Sequence, residues 1–103
     1  AKKAMLYIQE NYSKDISLDD VSGLVNISPY YFSKIFKEET GENFIEYLTK
    51  IRIEKAKELL VKPDISIKEA GIRSGYTDPN YFSRIFKKQT DMTPSEYKTR
   101  YGE

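Results

Sequence analysis

The sequence predicts an all-α fold of about seven helices, built as two similar sub-domains joined by a long linker helix. Three observations predict it. The first is an internal repeat: Ser28–Thr40 reads SPYYFSKIFKEET and Asp78–Thr90 reads DPNYFSRIFKKQT, identical at eight of thirteen positions at an offset of fifty. The second is helix punctuation, with capping serines Ser17 and Ser66 and cap–proline pairs Ser28-Pro29 and Asp78-Pro79 at the same places in both copies. The third is that no stretch alternates apolar and polar residues for long enough to argue a strand.

The repeat extends beyond its thirteen-residue heart. Glu46-Tyr47 aligns with Glu96-Tyr97, and Thr49 with Thr99. Upstream the offset becomes forty-nine, pairing Asp15-Ile16-Ser17-Leu18 with Asp64-Ile65-Ser66-Ile67 and Asn26 with Gly75. Two copies cannot form a solenoid, but they can form two sub-domains that perform the same task.

A first helix is expected over about 2–11. The second, about 18–25, follows Ser17 as cap with Asp20 at the third helical position, a capping box with the shorter acid. The third, about 29–40, opens with Ser28-Pro29, where proline's missing N–H is harmless, and ends at Gly41. The fourth, about 44–60, starts at Asn43 with Glu46. Its Phe44, Tyr47, Leu48, Ile51, Ala56, Leu59 and Leu60 lie along one broad face, and its roughly seventeen residues span about 26 Å. The fifth, about 67–74, follows Ser66 with Glu69 as a full capping box and stops at Gly75. The sixth, about 79–90, opens with Asp78-Pro79, and the seventh, about 94–101, with Thr93-Pro94 and Glu96. The 103 residues thus read as one domain, with sub-domains about 1–42 and 61–103 and a linker helix about 43–60. Each sub-domain holds a short helix, a turn of about three residues and a longer proline-started helix, the outline of a helix-turn-helix.

In the third helix Phe32, Ile35 and Phe36 recur at i, i+3, i+4 and are expected to face the core, as are Phe82, Ile85 and Phe86 in the sixth. Tyr31 is expected to be half-buried. The opposite stripes are Tyr30, Ser33, Lys34 and Lys37, and Asn80, Ser83, Arg84 and Lys87. Each carries hydrogen-bonding groups toward its N-terminal end and cations toward its C-terminal end. Asn can pair bidentately with adenine, and Arg or Lys with guanine. A polar stripe is ordinarily a solvated face, but a solvated face has no reason to keep its character in both copies. Ser17 and Ser66 are caps first, and the helix starts beside them can also receive a phosphate.

Composition narrows the function further. The chain has no cysteine and no histidine. That excludes disulfides and thiol catalysis and removes the commonest general base and metal ligand. No catalytic residue, metal or cofactor is expected. The longest apolar run, Ala4–Ile8, is five residues, far short of the ~20 that a membrane span needs. Net charge is only +1, from seventeen Lys+Arg against sixteen Asp+Glu. That is compatible with nucleic-acid binding when the cations share a face. The opening Ala1 raises the expectation that this is one domain of a longer protein.

The pattern Ser28-Pro29-x-Tyr31-Phe32-Ser33-Lys34-x-Phe36-Lys37 with Gly41, Tyr47, Arg52, Ala56 and Leu59-Leu60 resembles the first half of an AraC/XylS-type DNA-binding domain. Ile67, Ala70, Gly75-Tyr76, Tyr81-Phe82-Ser83-Arg84-x-Phe86-Lys87 and Thr93-Pro94-x-x-Tyr97 resemble its second half, so the resemblance covers essentially the whole chain. It implies a bacterial, cytoplasmic transcription regulator whose third and sixth helices enter successive major grooves of double-stranded DNA. By position it implies base contacts by Tyr30, Ser33, Lys34, Asn80, Tyr81 and Arg84, and phosphate contacts by Lys37 and Lys87. The sequence is also similar to the output domains of two-component response regulators, with a regulatory domain outside this chain. Two positions depart from the family pattern: Asp91 stands where glycine is usual after the sixth helix, and Lys98 where arginine commonly follows the signature tyrosine. The runner-up reading is a helical protein-interaction module contacting RNA polymerase or a partner regulator. The acid-rich stretch Glu38, Glu39, Glu42 and Glu46 speaks for it.

Overall fold

A computed structural model describes residues 2–103. Among the described residues there are seven helices and no strand: α1 (Lys2–Asn11), α2 (Leu18–Leu24), α3 (Pro29–Thr40), α4 (Phe44–Leu60), α5 (Ile67–Ser74), α6 (Pro79–Thr90) and α7 (Pro94–Tyr101). No helix of these residues is long and apolar enough to cross a membrane. The chain divides into two compact units, residues 1–51 and 52–103. The division falls inside α4, whose residues 44–51 belong to the first unit and 52–60 to the second.

Each unit is a set of four helical segments about its own core. In the first, Ala4 and Ile8 of α1, Val21 of α2, Phe32 and Phe36 of α3, and Phe44 and Leu48 of α4 are buried together. In the second, Ala56 and Leu60 of α4, Ala70 of α5, and Phe82 and Phe86 of α6 play the same parts. An alanine followed four residues later by an aliphatic residue opens both cores, Ala4 with Ile8 and Ala56 with Leu60, all with no exposed surface. Those four positions lie on the same face of their helices because i and i+4 do. The end of each unit is also repeated: Tyr47 packs edge-on against Phe36 at 5.2 Å, and Tyr97 against Phe86 at 5.5 Å.

Helix starts follow the residues that cap them. Ser28 and Asp78 accept hydrogen bonds from Tyr31 N and from Asn80 N and Tyr81 N, ahead of the prolines. Asn43 Oδ1 accepts from Glu46 N at 2.8 Å while Glu46 Oε1 accepts from Asn43 N at 3.0 Å. Thr93 and Glu96 form the same reciprocal pair. The boxes at the two repeated serines reverse the sequence expectation. Ser17 and Asp20 close a full box, Asp20 Oδ2 accepting from Ser17 N at 2.8 Å. At Ser66 the hydroxyl accepts from Glu69 N, but the Glu69 carboxylate turns to Arg73 at 3.1 Å. A cation one turn away competes for the longer side chain; the shorter Asp20 has no such reach.

The helix exits are alike in both units. Gly41 ends α3 at φ 82° and Asp91 ends α6 at φ 65°, each N–H donating at 2.8 Å to Lys37 or Lys87. Asp91 therefore preserves the left-handed exit without glycine, a conformation that aspartate tolerates better than most residues. Asn26 does likewise at φ 58° where the second unit has Gly75 at φ 111°. Thr40 and Thr90 add a device that the sequence reading left without a role. Each hydroxyl lies 2.8 Å from the carbonyl of Phe36 or Phe86 and accepts from the N–H of Glu42 or Met92. It thereby ties the last turn to the loop that follows.

Candidate nucleic-acid interface

The core face of α3 sorts as expected except at one place. Phe32 and Phe36 are buried, whereas Ile35 is 37% exposed. In α6, Phe82 and Phe86 are buried and Ile85 packs against the core. Tyr31 also departs from expectation: it is 60% exposed, because its ring leans on Tyr30 at 5.7 Å, edge to face, rather than on the core.

With the core faces set, the opposite stripes are presented to solvent. Tyr30, Lys34 and Lys37 are exposed and Ser33 is half-buried. Together with Glu38 and Asn43 they line one shallow depression of about 420 Å³, so the structure brings the first unit's candidates onto one surface. In the second unit Asn80, Arg84 and Lys87 are exposed and Ser83 half-buried, at the same i, i+3, i+4, i+7 spacing. Among the described residues none of Lys34, Lys37, Arg84 and Lys87 is held in an ion pair. Lys87 acts through its field on Glu96, whose carboxyl lies below the usual carboxylate range. The main cause there is the Thr93 backbone N–H, followed by the Thr93 hydroxyl.

Ser17 and Ser66 stand apart from these stripes, each exposed at the start of α2 or α5. Their oxygens accept from Asp20 N and Glu69 N at 3.1 Å. Each hydroxyl keeps its proton to donate.

Tyr81 differs from the other candidates. Its ring sits 5.8 Å from the buried ring of Tyr76 and 5.7 Å from the Arg84 guanidinium carbon. Lys98 takes a structural place. Its ammonium donates to the carbonyls of Leu60, Lys62 and Ile65 at 3.0, 2.9 and 2.9 Å. It thus ties α7 to the end of α4 and to the loop that follows it. No sequence signal marks that role, because its partners lie 33 to 38 residues away.

The two stripes carry two cations each, but the helices that bear them differ in net charge. α6 carries Arg84, Lys87 and Lys88 with no acid, a net +3, whereas α3 sets Lys34 and Lys37 against Glu38 and Glu39, a net of zero.

This geometry agrees with what the chain is similar to. A family model described as a helix-turn-helix domain matches residues 21–100. The regulatory protein PocR of Salmonella typhimurium is 37% identical over 102 residues, which are 99% of this chain and 34% of that protein. The chain thus spans about a third of the length of PocR and of two helix-turn-helix regulators of Escherichia coli that it also matches. The C-terminal domain of AraT, a response regulator from Geobacillus stearothermophilus, superposes with a TM-score of 0.94 at 41% identity, covering 99% of this chain and 85% of that one. The DNA-binding domain of AdpA, solved with a target DNA, shares the fold at a TM-score of 0.91 and 22% identity, over 97% of this chain and 90% of that one. The duplicated helix pairs, the matched family model and the likeness over nearly the whole chain lead to one conclusion: the chain belongs to the helix-turn-helix domain family, as a domain of the AraC/XylS type found in bacterial transcription regulators.

Proposed function

We propose that this chain is the sequence-specific, double-stranded DNA-binding module of a bacterial transcription regulator acting in the cytoplasm, with α3 and α6 reading successive major grooves. The observation that carries this reading is the duplicated stripe. Two helices of one chain, anchored by equivalent buried phenylalanines, present hydrogen-bonding groups and then long cations at the same positions. In this reading Tyr30, Ser33 and Lys34 meet base edges from α3, and Asn80 and Arg84 from α6, with Tyr81 beside them. Lys37 and Lys87 meet phosphates one turn further on, and the helix starts at Ser17 and Ser66 receive phosphates through their N–H groups. The acid-rich segment Glu38, Glu39, Glu42 and Glu46 favours a second reading, a helical module that contacts a protein such as RNA polymerase or a partner regulator. The regulatory part of the protein lies outside this chain.

Because one chain carries two reading helices, it replaces the two subunits of an ordinary dimer and binds an asymmetric site alone. Selection of bound duplexes from a random pool, followed by footprinting, tests the reading. One chain per site is expected by ultracentrifugation. With about five cations on phosphates, log K falls against log[salt] with a slope near −4 to −5. A slope near zero overturns DNA binding. Two chains required on a short palindrome overturns the asymmetric site.

A further inference from the structure

The second unit contains a ladder of rings and cations that runs from its core to the reading face. The guanidinium carbon of Arg52, on α4, lies 5.5 Å from the centre of the Tyr76 ring. Tyr76 is 6% exposed and stacks on the core ring of Phe82 at 5.7 Å and 26°. Tyr81 follows at 5.8 Å from Tyr76, and the Arg84 guanidinium carbon at 5.7 Å from Tyr81. Tyr81 and Arg84 are three residues apart on α6, so one turn of helix brings them together. Arginine is drawn to the face of an aromatic ring by the ring's quadrupole.

Among the described residues of the first unit there is no such ladder. At the offset of forty-nine, Ile27 stands where the second unit has Tyr76. Tyr31, the counterpart of Tyr81, leans on Tyr30 instead, and Lys34 replaces Arg84. A lysine ammonium is a point charge with little directional demand, whereas arginine recognises a guanine edge through a planar fork that must be aimed.

We propose that Tyr81, at a position where the family resemblance implies a base contact, is instead a positioning residue: supported by Tyr76, its ring holds the Arg84 guanidinium in the attitude in which it reads a base. The second unit is thereby the stringent half of recognition. This rests on the DNA-binding reading above and deepens it. A loose arginine would have to surrender its rotamer freedom on forming a bidentate contact, and Tyr81 removes part of that cost beforehand. A contact to a phosphate needs no such aim, so the benefit is confined to the matched base.

The test is a double-mutant cycle on the 103-residue chain, using a duplex obtained by random-pool selection and versions of it altered at each base pair. Tyr81→Leu is expected to weaken binding to the selected duplex about three- to fivefold, the size of one partly exposed cation–π contact. It should leave unchanged the binding to the duplex altered where Arg84→Ala relaxes base choice. Tyr81→Phe, which keeps the ring, is expected to match wild type. In the Arg84→Ala background Tyr81→Leu should cost nothing more. The salt slope should stay constant, since no charge is lost. Tyr81 is 45% exposed, so the fold is expected to survive, and Tyr81→Gln repeats the cycle with a polar replacement suited to a helix surface. If the two single losses add, Tyr81 touches DNA itself and the positioning role is overturned. A Tyr81→Phe variant as weak as Tyr81→Leu overturns it too, since the hydroxyl would then be the contact. Failure of the wild type to distinguish the duplexes overturns the DNA-binding reading and this proposal with it. Retained discrimination with additive losses overturns the positioning alone.

Discussion

The two halves of this chain share a plan and differ in how it is stiffened. In the first, the residue after the shared tyrosine of α4 is Leu48, an apolar anchor 4% exposed. In the second, the corresponding residue is Lys98, which gathers three carbonyls. Where α2 has Ser22, α5 has Gly71, and a Cβ there would stand 2.8 Å from the Phe82 ring. Where α3 balances its charges, α6 is +3. Both copies keep the stripe geometry, while the second carries more positive charge, a close glycine contact and an arginine beside a ring. If the proposals above hold, the second unit selects the base sequence and the first accompanies it.

The largest expected consequence of this difference is at Lys98. Lys98→Met keeps the length of the stem and removes the charge-assisted bonds to Leu60, Lys62 and Ile65. It should destabilise the domain by about 1.5–3 kcal/mol, the range for hydrogen bonds to a charged group. Urea unfolding at constant slope measures this. The salt slope of DNA binding should not change. A slope lower by about one would instead make Lys98 a phosphate contact.

Next comes the unequal share of recognition. Arg84→Ala should cost about 1–3 kcal/mol at the preferred site and relax one base position, whereas Lys87→Ala should weaken all sequences alike. Lys34→Ala should cost less than Arg84→Ala, since its unit lacks the supporting rings. Titration against matched and scrambled duplexes separates these cases. Equal losses at Lys34 and Arg84 would mean that the two units contribute alike.

A smaller effect is expected from packing. Gly71→Ala gains helix propensity but drives a methyl into the buried Phe82 ring, for a net destabilisation of about 1–2 kcal/mol. Ser22→Ala, at the matching place in the first unit, only loses a hydroxyl bonded to the Asp19 carbonyl at 3.2 Å. It should be milder, by the same unfolding measurement.

The smallest effect is in acid. Glu96 is exposed and its carboxyl is held below its ordinary value of 4.5, first by the Thr93 N–H and then by the Thr93 hydroxyl. Its folded form thus binds a proton less readily than its unfolded form. The resulting stability is present above the ordinary value and is lost as pH falls through the depressed one. Glu96→Gln should flatten that part of a stability profile recorded from pH 6 to pH 2, by slightly lowering stability at pH 6 while leaving it little changed at pH 2.

Helix boundaries were legible in the residues because caps act within three or four positions of themselves. Ser28-Pro29, Asp78-Pro79 and Thr93-Pro94 each begin the helix that they announce. The stripes were legible because the period of a helix, once Phe32 with Phe36 and Phe82 with Phe86 face inward, leaves no choice for the residues opposite. Even so, a local rule failed where two partners competed, as Glu69 chose Arg73 over the Ser66 N–H.

Beyond that range, only the packed chain could decide. Sequence spacing does not bring Lys98 to Leu60, nor Gly71 against Phe82, nor Arg52 over Tyr76. Tyr31 and Tyr81 hold the same place in the repeat, yet one ring turns to Tyr30, where the second copy has Asn80, and the other to Tyr76 and Arg84, where the first has Ile27 and Lys34. Hydrogen bonds along a helix are set by neighbours in the chain, which a sequence lists in order. Contacts between helices are set by volume, by charge and by which groups remain unpaired once the cores have closed, and those exist only after folding.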